Sequence, residues 1–236
     1  MDFVRIAVTI LVIFAIIALL SKVFKNQNQL SQLNDGNVEV VLPSKELVSS
    51  TSSNYTYSIW FYVQDWNYKY GQTKTLLQRI DNKGKPCPKI SLGSHQNDLI
   101  VSVETYPNTD VAGASTATQT FNCTVKNVPI QSWVNALVSV NNRTLDVYLD
   151  GKLVKTCVMP GVAKIARNAP VIITPNGGFS GFTSNIEFWA KASNPQDAWN
   201  IYRKGNGGSM NLFNKYKVKL SILENNKVRA SYQTPP

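Results

Sequence analysis

WVNALVSVNNRTLDVYLDGKLVKTCVM, residues Trp133–Met159, is the stretch that decides the fold. Val134, Ala136, Val138 and Val140 fall on alternate positions, the period of a strand with one buried face. Asn141-Asn142 then turns the chain, and Leu145, Val147 and Leu149 resume the alternation. Asp150-Gly151 turns it again before Lys152–Val158 returns. Asp-Gly between alternating runs marks a two-residue hairpin, because both central positions need positive φ. The stretch is therefore read as a three-strand antiparallel meander.

Outward from it, the same signals recur. Tyr57–Val63 (YSIWFYV) is aromatic and β-branched and bounded by polar residues, a strand. Leu76–Ile80, Lys89–Leu92, Leu99–Glu104 and Phe121–Val125 are shorter strand candidates, and the small-residue stretch between Thr105 and Asn122 reads as a long loop. Asn194-Pro195-Gln196-Asp197 is a helix start, with a capping Asn, Pro at the first position and an acid in the first turn. Lys215–Gln233 reads as a hairpin turning at Asn225-Asn226. Its Tyr216, Val218, Leu220 and Ile222 alternate with Lys215, Lys217, Lys219 and Ser221. Many evenly spaced strands, one short helix and no βαβ rhythm predict an all-β, two-sheet antiparallel sandwich over residues 38–236.

The front of the chain is different. The uncharged run Ile6–Ser21 and its flanks, Phe3–Phe24, reach about 33 Å as a helix at ~1.5 Å per residue, against a hydrocarbon core of ~30 Å. Apolar side chains such as Phe3, Ile6, Leu11, Phe14, Ile17 and Leu20 cover every face, and Arg5 and Lys22 sit where their heads reach the two interfaces. Ala15 and Ala18 have signal-peptidase spacing, but the run ends Leu19-Leu20-Ser21-Lys22. The reading is an uncleaved single-pass anchor over residues 1–24 rather than a signal peptide. Basic charge on both flanks leaves its orientation open. Residues 25–37 (KNQNQLSQLNDGN) are read as a polar tether of up to about 40 Å at ~3.3 Å per residue.

Composition bounds the function. The net formal charge of +10 is concentrated at the end: from Ile201 onward there are Arg203, Lys204, Lys215, Lys217, Lys219, Lys227 and Arg229 against Glu224 alone. Lys215, Lys217 and Lys219 form the candidate docking face, for an acidic protein surface or anionic headgroups. The polar face that carries that lysine row has no stacking aromatics among the lysines, so nucleic acid is not expected. Cys87, Cys123 and Cys157 are an odd set with no C-x-x-C pair, read as reduced thiols in a cytosol-like compartment. His95 is the sole histidine. Without a carboxylate cluster, a P-loop or a nucleophile elbow, no catalytic residue, metal site or cofactor is assigned.

SIWFYVQDW (Ser58–Trp66), WVNALVSV (Trp133–Val140), LDVYLDGKLV (Leu145–Val154), GFTSNIEFWA (Gly181–Ala190) and NPQDAWNIYRKG (Asn194–Gly205) follow one another in an order that resembles the concanavalin A-like lectin/glucanase family, in its laminin-G-like branch. The resemblance covers about Asn54 to Gly205 and implies a jelly roll. The family's glucanases carry E-x-D-x-x-E on one strand, placing paired carboxylates for hydrolysis. Here Glu187 stands alone, Asp150 belongs to a turn and Asp146 to a solvent-facing strand position, so the chain is expected not to be an enzyme. If it binds carbohydrate as relatives do, Trp66, Tyr68 and Tyr70 in DWNYKYG are the candidate contacts. The combination of an anchor, few cysteines and a basic C-terminal hairpin is similar to membrane-anchored minor capsid proteins of large DNA viruses of algae. That likeness implies a structural protein at the membrane–capsid interface of a virion, with the lipid bilayer and major and minor capsid proteins as partners. The alternative is a membrane-tethered, lectin-like protein.

Overall fold

The structure is a computed structural model that describes residues 12, 28–47, 51–107 and 117–207, and the backbone of 219–224 and 227–233. The apolar N-terminal stretch, with Phe3, Arg5, Ile6, Leu11, Phe14, Ile17, Leu20 and Lys22, lies outside the described residues, as do Lys215 and Lys217. Among the described residues no helix is long and apolar enough to cross a membrane.

Two antiparallel sheets face each other. The first runs β1 (Gln29–Ser31), β13 (Ser180–Trp189), β4 (Tyr55–Asp65), β9 (Trp133–Asn141), β10 (Thr144–Leu149) and β11 (Lys152–Val158), with β2 (Asn34–Asp35) also on β13. The second runs β3 (Val40–Leu42), β12 (Val171–Ile173), β5 (Lys74–Ile80), β6 (Pro86–Leu92), β7 (Leu99–Thr105) and β8 (Gln119–Val125). The meander is observed as read: Val138 pairs with Val147, and Asp150 and Gly151 hold φ of 49° and 75° at the hairpin.

Alternation puts Tyr57, Ile59, Phe61, Val134, Ala136, Val138, Leu145 and Val147 of the first sheet into one core. Leu77, Ile90, Leu92, Leu99, Val101, Val171 and Ile173 of the second fill its other side. Burying each Val, Leu, Ile or Phe side chain among them contributes about 1.5–3 kcal/mol.

The outer face of the first sheet is also covered. Helix α1 (Pro195–Arg203) begins in a reciprocal cap: Asn194 accepts from the Asp197 N–H at 2.8 Å, and Asp197 accepts from the Asn194 N–H at 3.2 Å. Its Ala198 and Ile201 pack on Leu137 and Tyr148, and Tyr202 stacks on Trp60 at 5.5 Å. Polar outward residues of the sheet fasten the segment leading into the helix. Thr56 donates to the Lys191 carbonyl at 2.8 Å, and the Ser193 N–H donates to the Ser139 hydroxyl at 2.9 Å.

Two expectations are corrected. The tether of residues 25–37 is docked from Asn28 on. The Phe188 N–H donates to the Asn28 carbonyl at 2.9 Å, and β1 and β2 both pair with β13. Edge strands are held by backbone bonds, so a polar sequence suffices. The thiols are not all free: Cys123 and Cys157 form a disulfide, leaving Cys87 free and buried. The C-terminal hairpin is observed where it is described, with β14 (Lys219–Glu224) pairing β15 (Lys227–Gln233) and Leu220 opposite Tyr232, and residues 215–218 lie outside the described residues.

Candidate functional site

The three aromatics after β4 have separate fates. Asp65 accepts from the Asn67 N–H at 2.9 Å, turning the chain out of the strand. Trp66 is half-buried against the core, and the Lys74 Nζ sits 4.5 Å from its ring centroid. Lys74 is itself fully buried and donates to the Lys69 carbonyl at 3.3 Å. Burial pushes its ammonium below the usual lysine range, partly offset by Asp65. Tyr68 donates to the Gly177 carbonyl at 3.1 Å, and Lys69 donates to the Asn176 carbonyl. Trp66 and Tyr68 thus brace the loop onto the sandwich. Tyr70 is 59% exposed and meets His95 edge-on at 5.3 Å. Those two rings present the open aromatic surface of this rim, and the Ser94 hydroxyl lies 2.9 Å from His95 Nδ1.

A second arrangement spans the outer face of the second sheet. Register places Val41 beside Ile172, Ile172 beside Gln78, Gln78 beside Lys89, Lys89 beside Ser102 and Ser102 beside Asn122. One residue from each of six strands therefore forms a continuous row, and every member is at least partly exposed. Beside it, Ile80, Gly84, Pro86 and Thr120 border, with Gln78, Lys89 and Ser102, a hollow of about 270 Å³. The first sheet has its outer face under α1, whereas no described element covers this row. Single residues contributed by six strands leave no local motif, so sequence reading did not find it.

The ionisable groups do not converge. Glu104, on β7, accepts from the Thr120 hydroxyl at 2.6 Å. Burial pushes its carboxyl up, but hydrogen bonds from Thr120 and Thr118 outweigh this and hold it below the usual range. Glu187, on β13 of the other sheet, is buried with the Lys204 ammonium 3.9 Å away. Asp146 accepts from the Thr156 hydroxyl at 2.6 Å and Asp150 from the Asn135 N–H at 2.9 Å. Glycoside hydrolysis needs two carboxyls within about 5–9.5 Å flanking one bond. Glu104 and Glu187 instead stand on different sheets, each in its own polar contacts. Burial, with Asp81 and Glu104 adding to it, pushes the Cys87 thiol up to about 12, the opposite of an activated nucleophile. Among the described residues no three His, Cys, Asp or Glu side chains group as metal ligands. Lys219 opens β14, and its side chain is not described.

Comparison with known proteins agrees with this geometry. The sequence profile described as the concanavalin A-like lectin/glucanases superfamily matches residues 34–198. No curated protein sequence matches the chain. Among solved structures it is similar to the binding domain of botulinum neurotoxin DC in complex with rat synaptotagmin II. The identity is 15% and the TM-score 0.50, over 70% of this chain and 40% of that one. It is also similar to the serotype D ligand-binding domain in complex with N-acetylneuraminic acid, at 10% identity and TM-score 0.53 over 75% and 42%. The receptor-binding domain of the C/D mosaic serotype matches at 9% identity and TM-score 0.54, over 74% and 42%. The chain thus spans about two-fifths of the neurotoxin chains, and the likeness is one of fold.

Proposed function

Because the chain belongs to the concanavalin A-like lectin/glucanases superfamily, whose sandwich is a general scaffold for sites, we propose that it works by contact, as a membrane-anchored structural protein. The observation that carries this reading is the open row Val41–Ile172–Gln78–Lys89–Ser102–Asn122. It is aliphatic at one end, amide and hydroxyl along the rest, and has a single charge and no aromatic ring. Flat mixed surfaces of this kind suit protein partners, whereas sugar recognition calls for a stacking ring.

We assign the protein to the membrane–capsid interface of a virion. There the Phe3–Phe24 stretch lies in an internal membrane and the sandwich rests against capsid subunits. In purified virions the chain is expected at fixed stoichiometry, released only when detergent and shell disruption are combined. It is also expected to cross-link through Lys89 to a capsid subunit. Absence of the chain from purified particles removes this assignment.

A lectin-like role is the second reading, favoured by the exposed Tyr70–His95 pair. Two solved structures that this chain matches over about two-fifths of their length are complexes, one with a protein and one with N-acetylneuraminic acid. A glycan array probed with the detergent-solubilised full chain separates the two readings.

A further inference from the structure

Helix α1 and the chain segment that leads into it enclose a hollow of about 180 Å³ on the outer side of the first sheet. Trp189 and Lys191 line one wall. Asp197, Asn200, Ile201 and Lys204 line the other, an i, i+3, i+4, i+7 stripe of the helix and its cap. Both walls are pinned. The Thr56 hydroxyl holds the Lys191 carbonyl at 2.8 Å and the Ser139 hydroxyl holds the Ser193 N–H at 2.9 Å, while Ala198 and Ile201 seat the helix on Leu137 and Tyr148. The hollow is thus formed before any ligand enters, which keeps the ordering cost of binding low.

Its polar groups differ in kind and surround an apolar patch made by Trp189 and Ile201. Lys191 is exposed and makes no ion pair among the described residues. Lys204 lies 3.9 Å from the buried Glu187 carboxylate and 6.0 Å from the Trp189 ring centroid, so it is held at the rim. Asn200 Oδ1 accepts from the Gln196 side chain at 3.0 Å, which leaves its amide N–H groups as donors for a ligand. Asp197 uses Oδ2 on the Asn194 N–H at 3.2 Å and keeps Oδ1 as an acceptor.

Cation and amide donors, one acceptor and an apolar wall together complement a carboxylate, an N–H and an apolar side chain. A C-terminal residue of a polypeptide carries all three around one carbon. A neutral ligand would leave Lys191 uncompensated, and a multiply charged anion would meet Asp197. The single free oxygen of Asp197 matches one amide N–H better than the three donors of a free ammonium. The volume lies below the roughly 300–1,000 Å³ of sites for drug-sized ligands, in keeping with one residue.

We propose that this hollow captures the apolar C-terminal residue of a partner polypeptide. Its carboxylate goes to Lys191 and Asn200, its N–H to Asp197 and its side chain to Trp189 and Ile201. The site lies on the opposite sheet from the open row and depends on neither reading given above.

The test titrates the detergent-solubilised full chain with the peptide acid Ac-Ala-Ala-Ala-Phe, followed by saturation-transfer NMR. The acid is expected to bind with a Kd below about 1 mM, and its C-terminal amide and Ac-Ala-Ala-Ala-Gly at least about tenfold more weakly. Lys191→Gln and Asn200→Ala, both at exposed positions, are each expected to weaken the acid at least about fivefold with Tm unchanged. Tyr70→Ala should leave it as it is.

No binding of the acid, or equal binding of acid and amide, overturns the proposal. So does unchanged affinity in either variant, or free phenylalanine binding as tightly as the peptide, which would make this an amino-acid site. Loss of binding in Tyr70→Ala alone places the contact at the Tyr70–His95 rim, which ends this proposal and leaves the glycan reading standing.

Discussion

Cys123 and Cys157 join the two sheets at their edges. Cys123 lies on β8, the last strand of one sheet, and Cys157 on β11, the last strand of the other, 34 positions apart in sequence with Cα atoms 6.1 Å apart. The sandwich is therefore cross-linked along the side where β11 is otherwise exposed, with Leu153, Val154 and Val158 open to solvent. Closing a loop of this length constrains the unfolded chain by about 3–4 kcal/mol in the chain-entropy account.

Reduction, or the C123S/C157S pair, is accordingly expected to lower unfolding free energy by up to that amount. Urea unfolding with and without reductant measures it. Intact mass after alkylation should show no labelling in the native state, since the one free thiol, Cys87, is buried. Native labelling at two further sites would contradict the pairing.

The Asp81–Lys164 pair, at 2.5 Å with the carboxylate nearly buried, governs behaviour in acid. Burial pushes the Asp81 carboxyl up, but hydrogen bonds from Lys164 and from the Lys85 and Lys83 N–H groups outweigh it and hold it below the usual range. A depressed carboxyl contributes stability that is complete above its unfolded value, near 3.9, and is lost as pH falls through the folded one. Glu104 acts in the same direction. Asp81→Asn should cost about 1–3 kcal/mol at pH 7 and flatten the loss of stability as pH falls below the ordinary carboxylate range. Denaturation at a series of pH values reads both effects.

Gly151 sits at φ 75°, and a Cβ there would come within 3.0 Å of Trp199 Cε3 and of Tyr202 Cβ. Gly151→Ala therefore strains the hairpin and pushes on α1 together, at a cost of about 1–2 kcal/mol from the backbone alone. The expected result is a lower Tm with altered near-ultraviolet circular dichroism, since Tyr202 contacts both Trp60 and Trp199.

The rim aromatics can be separated by substitution. Tyr70→Ala removes an exposed ring and should leave Tm unchanged within about 0.5 kcal/mol of stability. Trp66→Ala removes the ring beneath the buried Lys74 ammonium and should destabilise by at least about 2 kcal/mol. Any glycan signal that survives Tyr70→Ala on an array argues against the Tyr70–His95 surface.

The meander and the helix were legible because each is specified locally. Asp150-Gly151 carries its own positive-φ requirement, and Asn194 with Asp197 carries its own reciprocal cap. β1, β2, β3 and β12 were not, being two or three residues long and defined by the strands they pair with; Asn34–Asp35 is polar and is a strand only because β13 lies alongside. The disulfide escaped for a related reason, since Cys123 and Cys157 meet only once two sheets stack. Of the candidate contacts, Tyr70 is exposed whereas Trp66 and Tyr68 brace the loop. Which way a ring points after a strand depends on Lys74 and Gly177, residues brought there by β5 and by the turn before β13.

The unequal covering of the two sheets bears on how readily this protein can be retargeted. Thr56, Ser139 and Leu137 hold a helix in place and resist change. Gln78, Lys89, Ser102 and Asn122 support nothing beneath α1 or inside the core, so swapping them alters only what the surface recognises. New partners can be selected there at little thermodynamic penalty, which makes that plate the natural place for divergence among relatives and for deliberate redesign.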